Sequence, residues 1–182
     1  MVYLFLAEGF EEVEAIATID FLRRAGIDVF TVSLSGIAVL GAHGILIEAD
    51  ALNEKLSFGD ELEGIILPGG AKGTEGLGVC EEVEAAIKFC YENNRLIAAI
   101  CAAPTILAQT GILEGKKATC YPGLENKMDG ARIVSDNVVV QGNIITGKAA
   151  GVTWEFAAAI TEYLRGKDKA NDVLESIQWN KS

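Results

Sequence analysis

The amino-acid sequence predicts an α/β fold in which a mostly parallel sheet carries helices on both faces. Short, almost entirely apolar runs recur along the chain, and this pattern is typical of strands buried on both faces. Stretches with helical periodicity separate the runs, as crossovers between parallel strands require. With 182 residues, 50% of them hydrophobic, the chain can form one domain with its own core, which we expect to span residues 1–182.

The predicted strands are runs rich in valine, isoleucine and leucine. They are Val2–Leu6, residues 27–34, Gly64–Leu67, Leu96–Ile100 and 117–120, with short strands at 133–134, Val138–Gln141 and 144–146. A small hairpin is predicted from residues 37–40 and 45–48, with its turn near the glycines at 41 and 44.

The predicted helices are longer periodic stretches that end at glycine or asparagine. Residues 10–25 form the first, and Gly26 suits the left-handed conformation of a helix cap. Residues 80–92 form the second, and a third begins near Pro104. Thr153–Arg165 forms the fourth, and the amphipathic tail after it predicts one more.

Charge and cysteine content argue against several classes of function. The net charge of −11 disfavours nucleic acid and anionic membranes as main partners. Val2–Leu6 is too short for a signal peptide, and no run of about 18 apolar residues exists to cross a membrane. The four cysteines form no CxxC pair, so we expect free thiols in a reducing cytoplasm.

Cys101 is the strongest candidate for a chemically active residue. It follows the strand Leu96–Ile100 and precedes Pro104, which suits the first turn of a helix. Such a strand-to-helix elbow points a side chain out of the sheet, beside unpaired N–H groups that stabilise a thiolate. The alternative is a small buried residue, as most free cysteines are. We favour the reactive thiol.

The other cysteines carry weaker signals. Cys80 and Cys90 lie on a predicted helix, and we interpret both as packing or surface residues. Cys120 ends a predicted strand next to Tyr121. It is either a core residue, which we favour, or a neighbour of the site.

Glu14 is a candidate acid–base partner. Carboxylates in the first turns of a helix favour its dipole, and a solvated acidic N-terminus explains Glu11 and Glu12. Glu14 instead lies at the edge of the apolar face, between Val13 and Ile16. A carboxyl group held near a thiolate has a raised pKa and can act as general acid or base. The sequence leaves both interpretations of Glu14 open.

The Gly69-Gly70 turn supplies candidate backbone donors. Glycines after a strand let N–H groups approach a ligand, and one of these together with the Ala102 N–H would form an oxyanion hole. The alternative is a plain tight turn. No GxxxxGK[ST] or GxGxxG motif is present, so a nucleotide loop is not predicted.

These features follow the C-terminal ends of predicted strands, where sheets of this class form their ligand crevice. The acidic segment 8–14, the Gly69-Gly70 turn and Cys101 can therefore meet in space. His43, the only histidine, lies in a predicted turn where such a residue is usually exposed. One histidine and scattered cysteines do not predict a metal site.

Several motifs together resemble the ThiJ/PfpI family, in the branch that includes the human Parkinson-disease deglycase. They are Ala7-Glu8-Gly9-Phe10-Glu11-Glu12-Val13-Glu14, Arg23-Arg24-Ala25-Gly26, Leu67-Pro68-Gly69-Gly70, Ala98-Ala99-Ile100-Cys101-Ala102-Ala103-Pro104 and Thr153-Trp154-Glu155-Phe156-Ala157. The resemblance runs from the first strand to the last of these helices. A cysteine elbow combined with an acidic first helix is a specific signature.

The resemblance implies a flavodoxin-like three-layer sandwich that forms a homodimer and needs no cofactor. It assigns the nucleophile to Cys101, its protonated partner to Glu14, and the oxyanion N–H groups to Gly70 and Ala102. Gly69 becomes a pocket residue. Branch members are described as glyoxalases that convert methylglyoxal to lactate, as protein deglycases, and as oxidative-stress sensors or chaperones.

This chain departs from the branch at positions near the site. Tyr121 stands where relatives often carry a histidine, which argues against a Cys-His protease or amidase. His43 stands where they often carry an arginine, which makes anion attraction weaker and pH-dependent. The loop at residues 147–151 also differs in detail. Three functions therefore remain open: an aldehyde-processing enzyme, a redox sensor based on oxidation of Cys101, and a binding or chaperone dimer.

Overall fold

The computed structural model describes residues 1–180. The strands, numbered in chain order, are Val2–Leu6 (β1), Val29–Ser33 (β2), Ala38–Leu40 (β3), Leu46–Glu48 (β4), Ala51–Leu52 (β5), Gly64–Leu67 (β6), Leu96–Ile100 (β7), Lys117–Ala118 (β8), Arg132–Ile133 (β9), Val138–Gln141 (β10) and Ile144–Gly147 (β11). The α-helices are Thr18–Arg24 (α1), Ala71–Gly78 (α2), Glu81–Glu92 (α3), Pro104–Gln109 (α4), Thr153–Arg165 (α5) and Lys167–Ser176 (α6).

Seven strands form the central sheet, in the order β10-β11-β7-β6-β1-β2-β5. Every neighbouring pair is parallel except β10–β11. The chain places β2 on one side of β1 and β6 on the other. The C-terminal ends of β1 and β6 therefore flank a topological switch point, where sheets of this kind bind ligands.

Helices cover both faces of the sheet and enclose two cores. Side chains of α2, α3 and α4 pack on one face, among them Leu77, Ile87 and Leu107. Side chains of α1, α5 and α6 pack on the other, among them Phe21, Phe156 and Val173. This three-layer arrangement confirms the predicted α/β sandwich. None of the helices among the described residues is long and apolar enough to cross a membrane.

Two helices differ from the prediction. The first begins as a π-helical segment at Val13–Ala17 before it continues as α1. Helix α2 was not predicted, because three of its residues are glycines, which disfavour helices. Tertiary contact explains one of them: a Cβ atom at Gly73 would lie 2.9 Å from Phe10 Cα. The β3–β4 hairpin forms as predicted.

One ion pair gives a pH-dependent contribution to stability. Arg165 donates from both terminal nitrogens to Glu63, with 2.9 Å between Nη2 and Oε1. This pairing, together with the N-terminal ammonium group of Met1 at 3.1 Å from Glu63 Oε1, lowers the pKa of Glu63 from 4.5 to about 2. Because the pKa in the folded state is depressed, the stabilisation is complete above pH 4.5 and is lost as pH falls towards about 2.

We therefore expect Glu63→Gln to lower the free energy of unfolding at neutral pH by about 1–2 kcal/mol, allowing for the partial exposure of the pair. Urea unfolding of both proteins at several pH values checks this. The difference should shrink as the solution is made acidic. The exposed Glu92→Gln serves as control, and a difference that stays constant down to the lowest pH contradicts the assignment.

Candidate active site

Cys101 lies at a strained elbow between β7 and α4. Its φ is +66°, in the left-handed region that residues with side chains rarely adopt, at a cost of about 1–3 kcal/mol. Backbone hydrogen bonds hold this conformation: the Cys101 N–H donates to the Gly147 carbonyl at 2.9 Å, and its carbonyl accepts from the Tyr121 N–H at 2.7 Å. The elbow leaves the thiol half-buried.

The Gly69-Gly70 turn after β6 lies directly against this cysteine. A Cβ atom at Gly69 would lie 2.6 Å from Glu14 Oε2, 2.7 Å from Cys101 Cβ and 3.1 Å from its Sγ. Gly70 has φ +92°, and a Cβ there would overlap the carbonyl oxygen of Gly9. Both glycines are therefore required by contact, and at Gly70 also by backbone conformation.

Glu14 reaches the same point from the π-helical segment. Its side chain belongs to a residue that is 1% exposed, and its Oε2 accepts a hydrogen bond from the Gly69 N–H at 2.8 Å. The Glu14 N–H donates to Glu11 Oε2 at 2.7 Å, which holds the turn. Glu14 Oε1 is buried and has no hydrogen-bond partner of ordinary geometry among the described residues. An ionised carboxylate is costly in this environment.

The Glu14 carboxyl and the Cys101 thiol lie side by side against Gly69, close enough for each group to shift the pKa of the other. Burial raises the pKa of Glu14 to about 7, against the opposing effects of its Cys101 and Gly69 hydrogen bonds. Burial and the Glu14 charge likewise raise the pKa of Cys101. The elbow alone therefore does not make an acidic thiol, which corrects that expectation. Like charges this close do not both ionise, so the pair carries two protons below about pH 7 and one proton above it.

Two backbone N–H groups favour the thiolate form of Cys101. The N–H groups of Gly70 and Ala102 point at the Cys101 sulfur and lower its pKa, although less than burial raises it. In the form of the pair in which Glu14 holds the one remaining proton, the negative charge rests on sulfur beside both donors. The same N–H groups can hold an oxyanion that forms next to the sulfur.

Tyr121 and Cys120 were also predicted to lie in or near the pocket. Tyr121 is joined to Cys101 through its backbone N–H, and the residue is 48% exposed. Cys120 is 4% exposed and belongs to the core on the α3 side of the sheet, as favoured from the sequence. Cys90 is fully buried.

His43 is bonded to the acidic segment rather than to the thiol. Its Nδ1 lies 2.8 Å from Glu12 Oε2, and its backbone N–H donates to Glu12 Oε1 at 2.6 Å. Glu12 is only 4% exposed, so the solvated role expected for it is wrong. The hydrogen bond and charge of Glu12 raise the pKa of His43. No local motif signals this contact, because the two residues are 31 positions apart.

Glu11, Glu12 and His43 place ligand-type atoms within 4.8 Å of one another, a grouping not predicted from the sequence. These atoms are engaged in the protein itself. His43 bonds Glu12, and Glu11 accepts the Glu14 N–H. The cluster thus joins the β3–β4 hairpin to the helix that carries Glu14.

The fold and site define a three-layer α/β protein in which a half-buried cysteine lies beside a buried glutamate, near the switch point of the sheet. The chain belongs to the DJ-1/PfpI family, whose model matches residues 1–163. The resemblance drawn from the motifs is thereby confirmed.

Two named relatives are similar to this chain in sequence, and one solved structure is similar to it in fold. DJ-1 homolog B of Arabidopsis thaliana is 41% identical over 171 residues, which cover 92% of this chain and 39% of that protein. The glutathione-independent glyoxalase DJR-1.2 of Caenorhabditis elegans is 35% identical over 172 residues, which cover 93% and 91%. The crystal structure of Drosophila melanogaster DJ-1beta matches with a TM-score of 0.94 and 36% identity, covering 99% and 98%.

Proposed function

We propose that this protein is a cofactor-independent enzyme that converts small 2-oxoaldehydes, with methylglyoxal as type substrate, to 2-hydroxy acids. The observation that carries the proposal is the convergence of a nucleophile, a proton carrier and two backbone donors on one point. Cys101, Glu14, and the Gly70 and Ala102 N–H groups supply them. The name of the similar C. elegans glyoxalase supports the same chemistry.

The first step joins substrate to sulfur. The Cys101 thiolate attacks the aldehyde carbon, the C=O π electrons move to oxygen, and the alkoxide accepts hydrogen bonds from Gly70 and Ala102 N–H groups. The Glu14 carboxyl then transfers its proton to the alkoxide, which gives a neutral hemithioacetal. Glu14 is left as the base for the next step.

The second step is an internal proton transfer. The Glu14 carboxylate removes the C–H proton of the hemithioacetal carbon and returns it to the neighbouring carbon through an enediol. The product is a thioester of lactate on Cys101. Water hydrolyses this thioester, which releases lactate and restores the thiol, so that no net oxidation occurs.

A lactate assay with purified protein and methylglyoxal, without added thiol, tests this function. We expect lactate from the wild type and from Cys80→Ser, and a loss of about 10³-fold or more in Cys101→Ala, the scale expected when a nucleophile is removed. Absence of lactate with the wild type, or equal rates with Cys101→Ala, removes the proposal.

A redox-sensing role is the second candidate, and one observation favours it. Glu14 Oε1 is buried without a partner, and two N–H groups face the sulfur, so a Cys101 sulfinate would find a donor from each side. Each Cys101 would consume two peroxide molecules and release two waters. Stoichiometric sulfinate at low peroxide, with no lactate formed, supports this role over turnover.

Two further proposals concern the location of the protein and a related reaction. We place the protein in the reducing cytoplasm, where its free thiols remain reduced. Deglycation of protein side chains would use the same attack by Cys101 on a carbonyl carbon. Tyr121 supplies no imidazole, so Glu14 alone carries the proton in this scheme.

We also propose a homodimer formed by the first helix and the β3–β4 hairpin. Large apolar side chains remain exposed there: Val13 (53%), Ile16 (39%), Ile45 (51%) and Leu46 (61%). The Glu12–His43 contact joins the two elements, which makes one apolar surface beside the site.

Light scattering should accordingly give about twice the chain mass of 19.3 kDa at micromolar concentration. Leu46→Glu should yield the monomer, because it places a charge on the proposed interface, while Val140→Glu, exposed on β10, should leave the dimer intact. A wild-type monomer contradicts the interface.

A further inference from the structure

A groove between α2 and α4 lies on the sheet face opposite Glu14. It consists of adjoining cavities of about 200 and 230 Å³ that share Gly78, Ile106 and Gln109. Cys80 and Glu84 line one part, and Thr74 lines the other. We call this the α2–α4 groove. None of these side chains takes part in the chemistry of Cys101.

One residue that lines this groove carries a polar atom without a partner. Thr74 is 9% exposed, and its Oγ1 has no hydrogen-bond partner among the described residues. A buried hydroxyl without a partner costs about 1–3 kcal/mol, which a ligand with a polar atom at this position would recover. The groove therefore offers a ligand a hydroxyl group without a partner as well as space.

Cys80 lines the groove, and its thiol has both hydrogen-bond donors and an acceptor around it. The thiol is half-buried at the N-terminus of α3, donates to Glu82 Oε2 at 3.1 Å and accepts from Asn53 Nδ2 at 3.7 Å. The N–H groups of Glu82 and Val83 also point at the sulfur. Burial and the hydrogen bond to Glu82 raise the pKa of the Cys80 thiol, and these N–H groups oppose that shift, so a thiolate that forms in alkaline solution has donors beside it. Cys90, in contrast, is fully buried within the core.

We propose that Cys80 is a second redox-active thiol that forms a mixed disulfide with a small aminothiol, whose body lies in the α2–α4 groove. The Cys80 thiolate attacks one sulfur of an aminothiol disulfide, the S–S bond breaks, and the other half leaves as a thiolate that takes up a proton. Cys80 is oxidised and the leaving sulfur is reduced.

Charge selects the aminothiol. Glu82 and Glu84 lie at the end of the groove that contains Cys80. Glu84 forms an ion pair with Lys88, so these three side chains together carry a net negative charge. An ammonium group close to the reacting sulfur is attracted there, and a carboxylate is repelled.

The test exposes the wild-type protein to cystamine, bis(2-hydroxyethyl) disulfide or dithiodiglycolate under mildly alkaline conditions, because burial and Glu82 raise the pKa of the Cys80 thiol. Peptide-level mass spectrometry follows Cys80 separately from Cys101. We expect cystamine to react about threefold to tenfold faster than dithiodiglycolate, the range of one or two partly exposed charge pairs, and Glu84→Gln to reduce this difference. Cys80→Ser, which keeps a favourable helix cap, should show no adduct at this position.

Gly78→Ala tests whether the reaction of Cys80 depends on binding in the α2–α4 groove or only on the exposure of the thiol. Its Cβ would lie 3.6 Å from Gln109 Oε1 and 3.7 Å from Ile106 Cγ1, so the fold accepts it while the groove narrows. We expect slower reaction with cystamine and an unchanged rate with methyl methanethiosulfonate, which adds only a methylthio group. An unmodified Cys80, equal rates for all three disulfides, or equal slowing of both reagents by Gly78→Ala would overturn the proposal.

Discussion

Glu14→Gln is expected to lower turnover of methylglyoxal by about 10²-fold or more, the usual loss when an acid–base group is removed. Glutamine keeps an oxygen for the Gly69 N–H but cannot give or take the proton that the hemithioacetal rearrangement requires. Because its shape is nearly unchanged, the loss should fall on the catalytic rate rather than on folding. Glu75→Gln, on the exposed face of α2, should leave turnover unchanged.

The same substitution should raise stability in alkaline solution. The pKa of Glu14 rises on folding from 4.5 to about 7, so its contribution to stability is complete below pH 4.5 and is lost as pH rises through about 7. Glutamine does not ionise, so the Glu14→Gln variant does not lose stability in this way as pH rises. Above pH 7 we expect Glu14→Gln to exceed the wild type by about 1–3 kcal/mol in urea unfolding. Identical pH profiles of stability and rate would remove Glu14 from the mechanism.

Gly69→Ala is expected to disable the site by contact alone. The added Cβ would lie 2.6 Å from Glu14 Oε2 and 2.7 Å from Cys101 Cβ, so both reacting side chains must move. Overpacking of this kind costs about 1–3 kcal/mol of stability, and displacement of the reacting groups by about 1 Å can cost about 10² in rate.

The matched control is Gly78→Ala, whose Cβ would make only ordinary contacts. Steady-state rates and thermal unfolding should separate the two variants clearly. If Gly69→Ala keeps wild-type turnover, Glu14 and Cys101 do not act in the arrangement described here.

The elements around the site could be predicted because their signals are local. The apolar run Leu96–Ile100 followed by Pro104 is enough to predict the elbow, and the positive φ of Cys101 is its structural consequence. The Gly69-Gly70 turn could likewise be predicted, because two glycines follow the strand Gly64–Leu67. Parallel strands then bring their C-terminal ends together, which is a property of the fold class.

Other features depend on contacts between distant residues. Helix α2 forms against the propensity of its glycines because Gly73 packs on Phe10. The buried Glu12 is hydrogen-bonded to His43, which comes from a different element. The pKa of Cys101 could not be derived from the elbow either, since burial and Glu14 outweigh the N–H donors. Tertiary contact, rather than local pattern, decides each of these.

The pH dependence of Cys101 alkylation tests the central claim most directly, namely that Cys101 and Glu14 share one proton. Peptide-level mass spectrometry with iodoacetamide gives the rate for each of the four cysteines. We predict that Cys101 reacts fastest near neutrality, with an inflection near pH 7 where the pair loses its first proton, and that Glu14→Gln abolishes this inflection. A Cys101 that reacts only after ionisation at strongly alkaline pH, or more slowly than Cys80 near neutrality, would contradict the account.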